Sequence, residues 1–289
     1  MLILFTDTDT DTTPEIAKEY GYNLISMPYS VGGKEIFPYE DFEVFDYQPF
    51  YAKLRKGTIP STSGISPSKY MNYFEPHFQN GDDILYVHFS TQLSGTFNAM
   101  NIAVDELLEK YPDRKFYTID TKAITICSLN IVREIGDLYK QGKTIDEIMD
   151  WAKEEVDKFA IYFYADDLKF FQRSGRVSNF KAIVGDFFGI KPIINIGSVG
   201  KMVSIGKGKG RIGALRKIIS YVEELQEDIK DHRVIIGHTD ALEIAEMLAE
   251  MLREKFGQDL NIEFVIVNPT AGSHCGPDGI GVSFHAKHR

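Results

Sequence analysis

Hydrophobic residues in the first half of this chain gather in short unbroken runs, and the segments between them space apolar residues three or four apart. The runs Leu2–Phe5, Leu24–Met27, Ile84–Phe89 and Phe116–Ile119 have the length and continuity of strands buried on both faces. After Phe89 the apolar positions are Phe97, Met100, Val104, Leu107 and Leu108, which is a helical spacing. A helix is also predicted after Thr12-Thr13, where Pro14 suits the first turn and Glu15 lies beside it. Another follows Thr144, where Glu147 completes a capping-box spacing ahead of Met149, Trp151 and Val156. Strand, helix, strand in repetition specifies a parallel sheet with helices on its faces.

The second half has a different rhythm. Ala160–Ala165, Ile190–Ile196 and Met202–Ile205 read as strands, and Gly197-Ser198-Val199-Gly200 joins the last two as an antiparallel hairpin. A helix over Ile212–Leu225 and a strand over Val234–Gly237 follow. Asp240 and Glu243 then open a helix with Ile244, Leu248, Met251 and Leu252 on one face, before a strand over Ile262–Val267. The change places a boundary near Lys158. The expected architecture is α/β with two domains, a parallel-sheet α/β domain over 1–158 and a mixed-sheet α/β domain over 159–289. There is no internal repeat and no low-complexity linker.

Composition narrows the class. A chain of 289 residues, 43% hydrophobic and 26% charged, is an ordinary globular protein, long enough to bury about three quarters of its unfolded surface. Met1-Leu2-Ile3-Leu4-Phe5-Thr6-Asp7 has no basic leader and meets acidic residues at once, so it reads as a first strand and not as a signal peptide. No apolar stretch approaches the length of a membrane span, and a cytoplasmic protein is expected. Cys127 and Cys275 lack the spacing of a disulfide framework or a zinc site. A net charge of −10 argues against nucleic acid as a partner of the whole molecule. Charge is uneven, however: Lys169 to Lys217 holds eleven Lys and Arg against the single acid Asp186. Such a run is either a solvated basic face or a surface for an acidic partner or a phosphate.

Three islands carry candidate chemistry: Ser61-Thr62-Ser63-Gly64, Ser90-Thr91-Gln92-Leu93-Ser94-Gly95-Thr96, and Gly272-Ser273-His274-Cys275-Gly276-Pro277. The middle one joins a strand to a helix. Ser94 and Thr96 thus stand at a helix N-terminus, where free N–H groups and the helix dipole favour an anion. Ser94 also suits a plain N-cap. Ligands of open parallel sheets gather at the carboxyl ends of the strands, where Thr6-Asp7 and Ser90–Ser94 are expected.

Other patterns fail. Asp7-Thr8-Asp9-Thr10-Asp11 alternates like a calcium loop, but Thr12 and Lys18 stand where that loop needs glycine and glutamate. A strand end with turn-forming acids fits better, with one carboxylate able to orient a polar network. Gly208-Lys209-Gly210-Arg211-Ile212-Gly213 matches the dinucleotide fingerprint by letter, yet follows a short hairpin and not a buried parallel strand. No Walker A spacing occurs. A serine esterase or acyl transferase with Ser94 as nucleophile and His274 as base is the alternative reading. The nucleophile elbow, though, wants glycine where Gln92 and Thr96 stand.

Taken in order, the segments resemble the DegV family. They are Thr6-Asp7, Thr62-Ser63, Ser90–Thr96, Asp166-Asp167-Leu168, Arg173-Ser174-Gly175-Arg176-Val177-Ser178, Lys191-Pro192-Ile193-Ile194 and Gly272–Pro277. The resemblance covers essentially the whole chain. It implies a long-chain fatty acid held between two α/β domains, no cofactor and no metal, and a role in lipid transport or fatty acid metabolism. It further implies presentation of the acyl carboxylate to a separate fatty acid kinase subunit, with transient membrane contact compatible with that role. Thr62, Ser63, Ser94, Gly95 and His274 would then meet the carboxylate. Arg173, Arg176 and Arg211 would brace the head group or meet the kinase. Gly64-Ile65, Gln92 and Ser174 depart from the usual family residues, three of them beside the head-group site. Ala182–Val184, Phe187-Phe188 and Ile190–Ile196 would serve as apolar walls.

Overall fold

Each apolar run of the first half becomes a strand, and the strands pair in one direction. In this computed structural model, which describes residues 1–177 and 189–289, β1 (Leu2–Asp7), β2 (Tyr22–Ile25), β6 (Asp83–His88) and β7 (Phe116–Asp120) form a sheet in the order β2-β1-β6-β7. All its pairings are parallel. The intervening helices are α1 (Pro14–Tyr20), α4 (Thr96–Lys110), α5 (Thr125–Lys140) and α6 (Ile145–Glu155). Thr13 caps α1 through its hydroxyl, and Pro14 occupies the first turn as its fixed φ favours. The capping box of α6 forms in both directions: Glu147 N–H donates to Thr144 Oγ1 at 3.3 Å, and Thr144 N–H to the Glu147 carboxylate at 2.8 Å.

The expected alternation missed an insertion. Residues between β2 and β6 add a small antiparallel sheet of β3 (Tyr29–Val31), β4 (Lys34–Ile36) and β5 (Ser61–Thr62), with α2 (Tyr47–Arg55) and α3 (Pro67–Gln79). These strands have only two or three residues each, too short for a period to show.

The second sheet takes the order β10-β9-β8-β13-β11-β12. It contains β8 (Phe159–Tyr164), β9 (Ile190–Ile196), β10 (Met202–Lys209), β11 (Val234–His238), β12 (Ile262–Ile266) and β13 (Ile280–His285). Among the described strands only β11 and β12 pair in parallel, so the sheet is mixed, and β9 and β10 form the expected antiparallel hairpin. Helices α7 (Leu168–Ser174), α8 (Gly210–Leu225), α9 (Leu242–Phe256) and α10 (Pro269–Cys275) complete this half. The first glycine of the dinucleotide-like segment serves packing here: a Cβ on Gly208 would drive into the backbone of Ala214 at the start of α8.

Strand periodicity distributes β8 between two cores. Ile161 and Phe163 join the core that holds Leu4, Ile84 and Val87 of the parallel sheet. Ala160, Tyr162 and Tyr164 face a second core with Leu215, Ile218, Leu248 and Leu252. Helix α5 ties the sheets together and is buried without interruption from Thr125 to Val132. Its Val132 carbonyl accepts from Tyr22 Oη at 2.9 Å on one side, while Asn130 Nδ2 donates to Ser283 Oγ at 3.1 Å on the other. This stretch is interior, and it packs in the core that the parallel sheet shares with Ile161, Ile194 and Ile235 of the second sheet.

Candidate functional site

The carboxyl ends of β1, β6 and β7 open onto a cavity of about 350 Å³, roofed by β5, β8, β13 and α10. That volume lies within the range of small-molecule pockets, roughly 300–1,000 Å³. Its walls are mainly apolar, with Phe89, Leu93, Ile126, Ile161, Phe163 and Phe171 among them. The three hydroxyl and histidine islands meet at this cavity: Thr62, Ser63, Ser94, Gly95 and His274 all line it, as does Arg176.

Thr62 Oγ1 and His274 Nε2 lie 2.9 Å apart. Burial drives the His274 pKa down to about 4, and the Arg176 guanidinium adds to the shift. The imidazole is therefore neutral at pH 7. It can serve the Thr62 hydroxyl as donor or acceptor, which leaves that hydroxyl able to donate to a ligand oxygen. Ser94 Oγ accepts from Thr96 N–H at 3.2 Å, so it satisfies one free amide of α4 without being the cap residue itself, a place taken by Gly95. Ser63 lines the rim but donates its hydroxyl to Glu35 at 2.7 Å. Thr96 is a structural tie: its hydroxyl accepts from Ile65 N–H at 3.1 Å and pairs with Tyr70 Oη at 3.1 Å, fixing the Thr62–Ile65 segment against α4. Gly64 fits because a Cβ there would come within 3.0 Å of Thr96 Cβ. Ser90 is likewise structural, fully buried and bonded to the Gly200 carbonyl at 2.9 Å.

The arginines divide. Arg176 borders both the cavity and a polar surface depression formed by Thr91, Gln92, Ser94, Asn98 and Asn101, and so stands at the mouth. Arg173 is exposed in the last turn of α7 and does not line the cavity. Arg211 also lies off the cavity: its guanidinium grips Asp166 at 3.0 and 3.2 Å, and Lys191 joins the same carboxylate at 2.9 Å. Although burial pushes the other way, Arg211 and Lys191 hold Asp166 below the usual carboxylate range. Of the expected walls, Ile190–Ile196 is the interior strand β9 and does not line the cavity. Ala182–Val184, Phe187-Phe188, Ser178 and Asp186 lie outside the described residues.

The esterase arrangement does not assemble. His274 Nε2 is bonded to Thr62 and not to Ser94, and no carboxylate among the described residues orients the ring. A base with a pKa near 4 is also poorly matched to general-base work at neutral pH.

Sequence reasoning missed part of the lining. Asp9, Thr125 and Cys275 face the cavity. Asp9 belongs to the run dismissed as a calcium loop. Its neighbour Asp7 is fully buried and accepts from Tyr86 Oη at 3.0 Å and from Phe89 N–H at 3.3 Å. Asp11 Oδ1 accepts from Asn268 N–H at 2.8 Å and Nδ2 at 2.7 Å, binding the end of β1 to α10. Burial raises both carboxyls to about 7 against these hydrogen bonds. The only signal was position, since acids immediately after the central strand of a parallel sheet stand where its ligands bind.

Comparison with known proteins fits this geometry. The chain matches the model of the DegV family, described as uncharacterised proteins, over residues 1–287. It is similar to a DegV domain-containing protein of Clostridium perfringens, with 34% identity over 98% of this chain and 96% of the relative. Its fold is similar to that of a DegV family protein from Thermus thermophilus described as fatty-acid binding, at a TM-score of 0.85 and 21% identity over 99% of each chain. A stearic acid-binding protein from Eubacterium ventriosum has the same fold at a TM-score of 0.84, 19% identity and 99% coverage of each chain. By a family match that spans both sheets and every island of the cavity, this chain belongs to the DegV family.

Proposed function

We propose that the protein binds one long-chain fatty acid in this cavity, with its carboxylate at Thr62, Ser94 and His274 and its tail among the apolar walls. The carrying observation is the Thr62–His274 pair at the edge of an otherwise apolar cavity, beside the N-terminus of α4. The fatty-acid-binding descriptions of the Thermus and Eubacterium proteins support the same ligand class. Burying a sixteen-carbon tail is worth on the order of 12 kcal/mol at about 0.8 per methylene, from which lost ligand freedom takes several. The polar groups then fix orientation more than they supply affinity. Gly95 leaves the backbone open at the rim, and Ser63 frames it.

In this reading the protein has no catalytic step of its own. It holds the acyl carboxylate for a separate fatty acid kinase subunit, with Arg176 at the mouth and Arg173 on the outer surface. Arg211 braces the second sheet through Asp166. Residues 1–158 and 159–289 act as the two walls of the site, in a cytoplasmic setting. Among the described residues no helix is long and apolar enough to cross a membrane.

Purified protein is expected to carry about one long-chain fatty acid per chain, read by mass spectrometry of the extracted lipid. Absence of lipid together with failure to bind added palmitate or oleate would overturn the reading. Turnover of p-nitrophenyl esters that disappears in Ser94→Ala would favour the esterase instead.

A further inference from the structure

A fatty acid with a plain hydrocarbon tail asks nothing of a cavity wall except apolar contact, yet this wall contains a second polar point. Asp9 lines the cavity from the 3-10 turn Thr8–Thr10 and is only 6% exposed. Its Oδ1 is buried without a hydrogen-bond partner among the described residues. Its backbone N–H donates to Asp7 Oδ1 at 3.0 Å. Helix α5 packs on this turn and begins with Thr125, another cavity residue whose hydroxyl makes no hydrogen bond to a described residue. Thr125 holds φ at 55°. A β-branched residue seldom adopts that left-handed conformation, and such strain collects at functional sites. Two cavity threonines on the opposite wall are already committed: Thr270 Oγ1 donates to the Met27 carbonyl at 2.8 Å, and Thr239 Oγ1 accepts from Gly279 N–H at 2.6 Å.

A buried polar atom left without a partner is costly, and native structures rarely keep one without a use. We infer that Asp9, with Thr125, forms a second contact point in the cavity for an oxygen function carried along the acyl chain, so that the protein selects hydroxy- or oxo-substituted fatty acids over unsubstituted ones. The inference rests on the acyl-binding reading and deepens it by naming the ligand subclass. The protonation state agrees with the geometry. Burial, then the charges of Asp7 and Asp11, raise the Asp9 pKa well above the ordinary value, which favours the protonated form that can donate. A hydroxyl or a carbonyl oxygen accepts a hydrogen bond from that donor, and a methylene cannot.

The test is a competition assay with the full-length, delipidated protein. Its ligands are stearate, hydroxystearates with the hydroxyl at successive positions along the chain, and the matching oxostearates. At least one substituted position is expected to bind about tenfold more tightly than stearate, as one satisfied buried hydrogen bond implies. In Asp9→Ala the ratio should collapse toward one, while Asp9→Asn, which keeps a donor, should retain part of it. The hydroxy and oxo series show which oxygen function is preferred. If every substituted acid binds no better than stearate to the wild-type protein, the inference is wrong, whatever the variants do. If Asp9→Ala weakens stearate and the substituted acids by the same factor, Asp9 meets the common carboxylate and the inference is again wrong. Failure of all the acids to bind would instead remove the acyl-binding reading itself.

Discussion

Thr62 Oγ1 and His274 Nε2 are 2.9 Å apart although their residues are separated by 212 positions in the chain. The pair joins the small sheet of the first half to α10 of the second, so the proposed carboxylate site exists only when both halves are in place. Thr62→Val removes the hydroxyl with little change of shape, and Ser94→Ala removes the other. Each is expected to weaken fatty acid binding by roughly 1.5–3 kcal/mol, the worth of a hydrogen bond to a charged group, as read by calorimetry on delipidated protein. Ser94→Ala should also lower thermal stability, by about 1 kcal/mol, because Thr96 N–H loses its acceptor. Unchanged affinity in both variants would mean that the carboxylate is held elsewhere.

His274 should show no titration between pH 5 and 8 in an NMR experiment, since its pKa is pushed down to about 4. As a base with a depressed folded-state pKa, it contributes stability that is complete above the unfolded value near 6.5 and is lost as pH falls toward 4. Arg176→Gln removes the second cause of that depression, so the His274 pKa should rise. A midpoint above 6 in the wild-type protein would contradict the neutral imidazole assigned here.

Gly64→Ala tests the close packing beneath the site. The added Cβ would lie 3.0 Å from Thr96 Cβ and 3.1 Å from Thr96 Cα, and backbone cannot swing aside as a flexible side chain can. A loss of about 1–3 kcal/mol is expected from overpacking, together with weaker fatty acid binding as Thr62 shifts. Chemical denaturation and ligand titration measure the two effects separately.

The parallel sheet and the hairpin were legible because their residues are committed to burial by an unbroken apolar pattern. Strand β13 was not, although every residue from Ile280 to His285 is buried. Its sequence interleaves Gly281, Ser283 and His285, and each has a local reason. A Cβ on Gly281 would come within 2.7 Å of Phe163 Cβ, Ser283 receives the Asn130 amide, and His285 Nε2 approaches the Glu155 carboxylate at 3.3 Å. Helix α10 was hidden similarly by Gly272, which packs against the Tyr51 ring with no room for a side chain. The hydroxyl islands could be read from their place at strand and helix ends. Asp9 could not, because the feature that marks it is a missing partner.

Asp11→Asn offers a pH-dependent test of the acid run. Asp11 Oδ1 takes both bonds from Asn268 and Oδ2 takes none, so an amide can keep the native contacts. Burial raises the folded-state pKa to about 7, and the folded protein therefore binds more protons than the unfolded chain between about pH 4 and 7. Wild-type stability loses ground to the variant as pH rises through that window and gains it back as pH falls. The difference should reach a few kcal/mol by pH 8, measured as paired denaturation curves at several pH values. A difference independent of pH would show that Asp11 is ionised throughout.

The two exposed arginines of the α7 region should separate in function. Arg176 borders the cavity mouth and shifts the His274 pKa, whereas Arg173 lies outside the lining, in a sequence stretch of eleven Lys and Arg to one acid, of which Lys191 and Arg211 pair with Asp166. A partner with acidic residues and bound ATP would be drawn to such a surface, and the association would weaken as salt screens it. Arg173→Glu is expected to lower acyl-phosphate formation by an added fatty acid kinase several-fold while the fatty acid content stays near wild type. Arg176→Glu, by contrast, should lower both, because it places a negative charge beside the proposed carboxylate site. Both quantities are measured on the same preparations at low and high salt. A fall in lipid content that tracks phosphorylation in Arg173→Glu would assign that arginine to the cavity and remove the docking surface from this face.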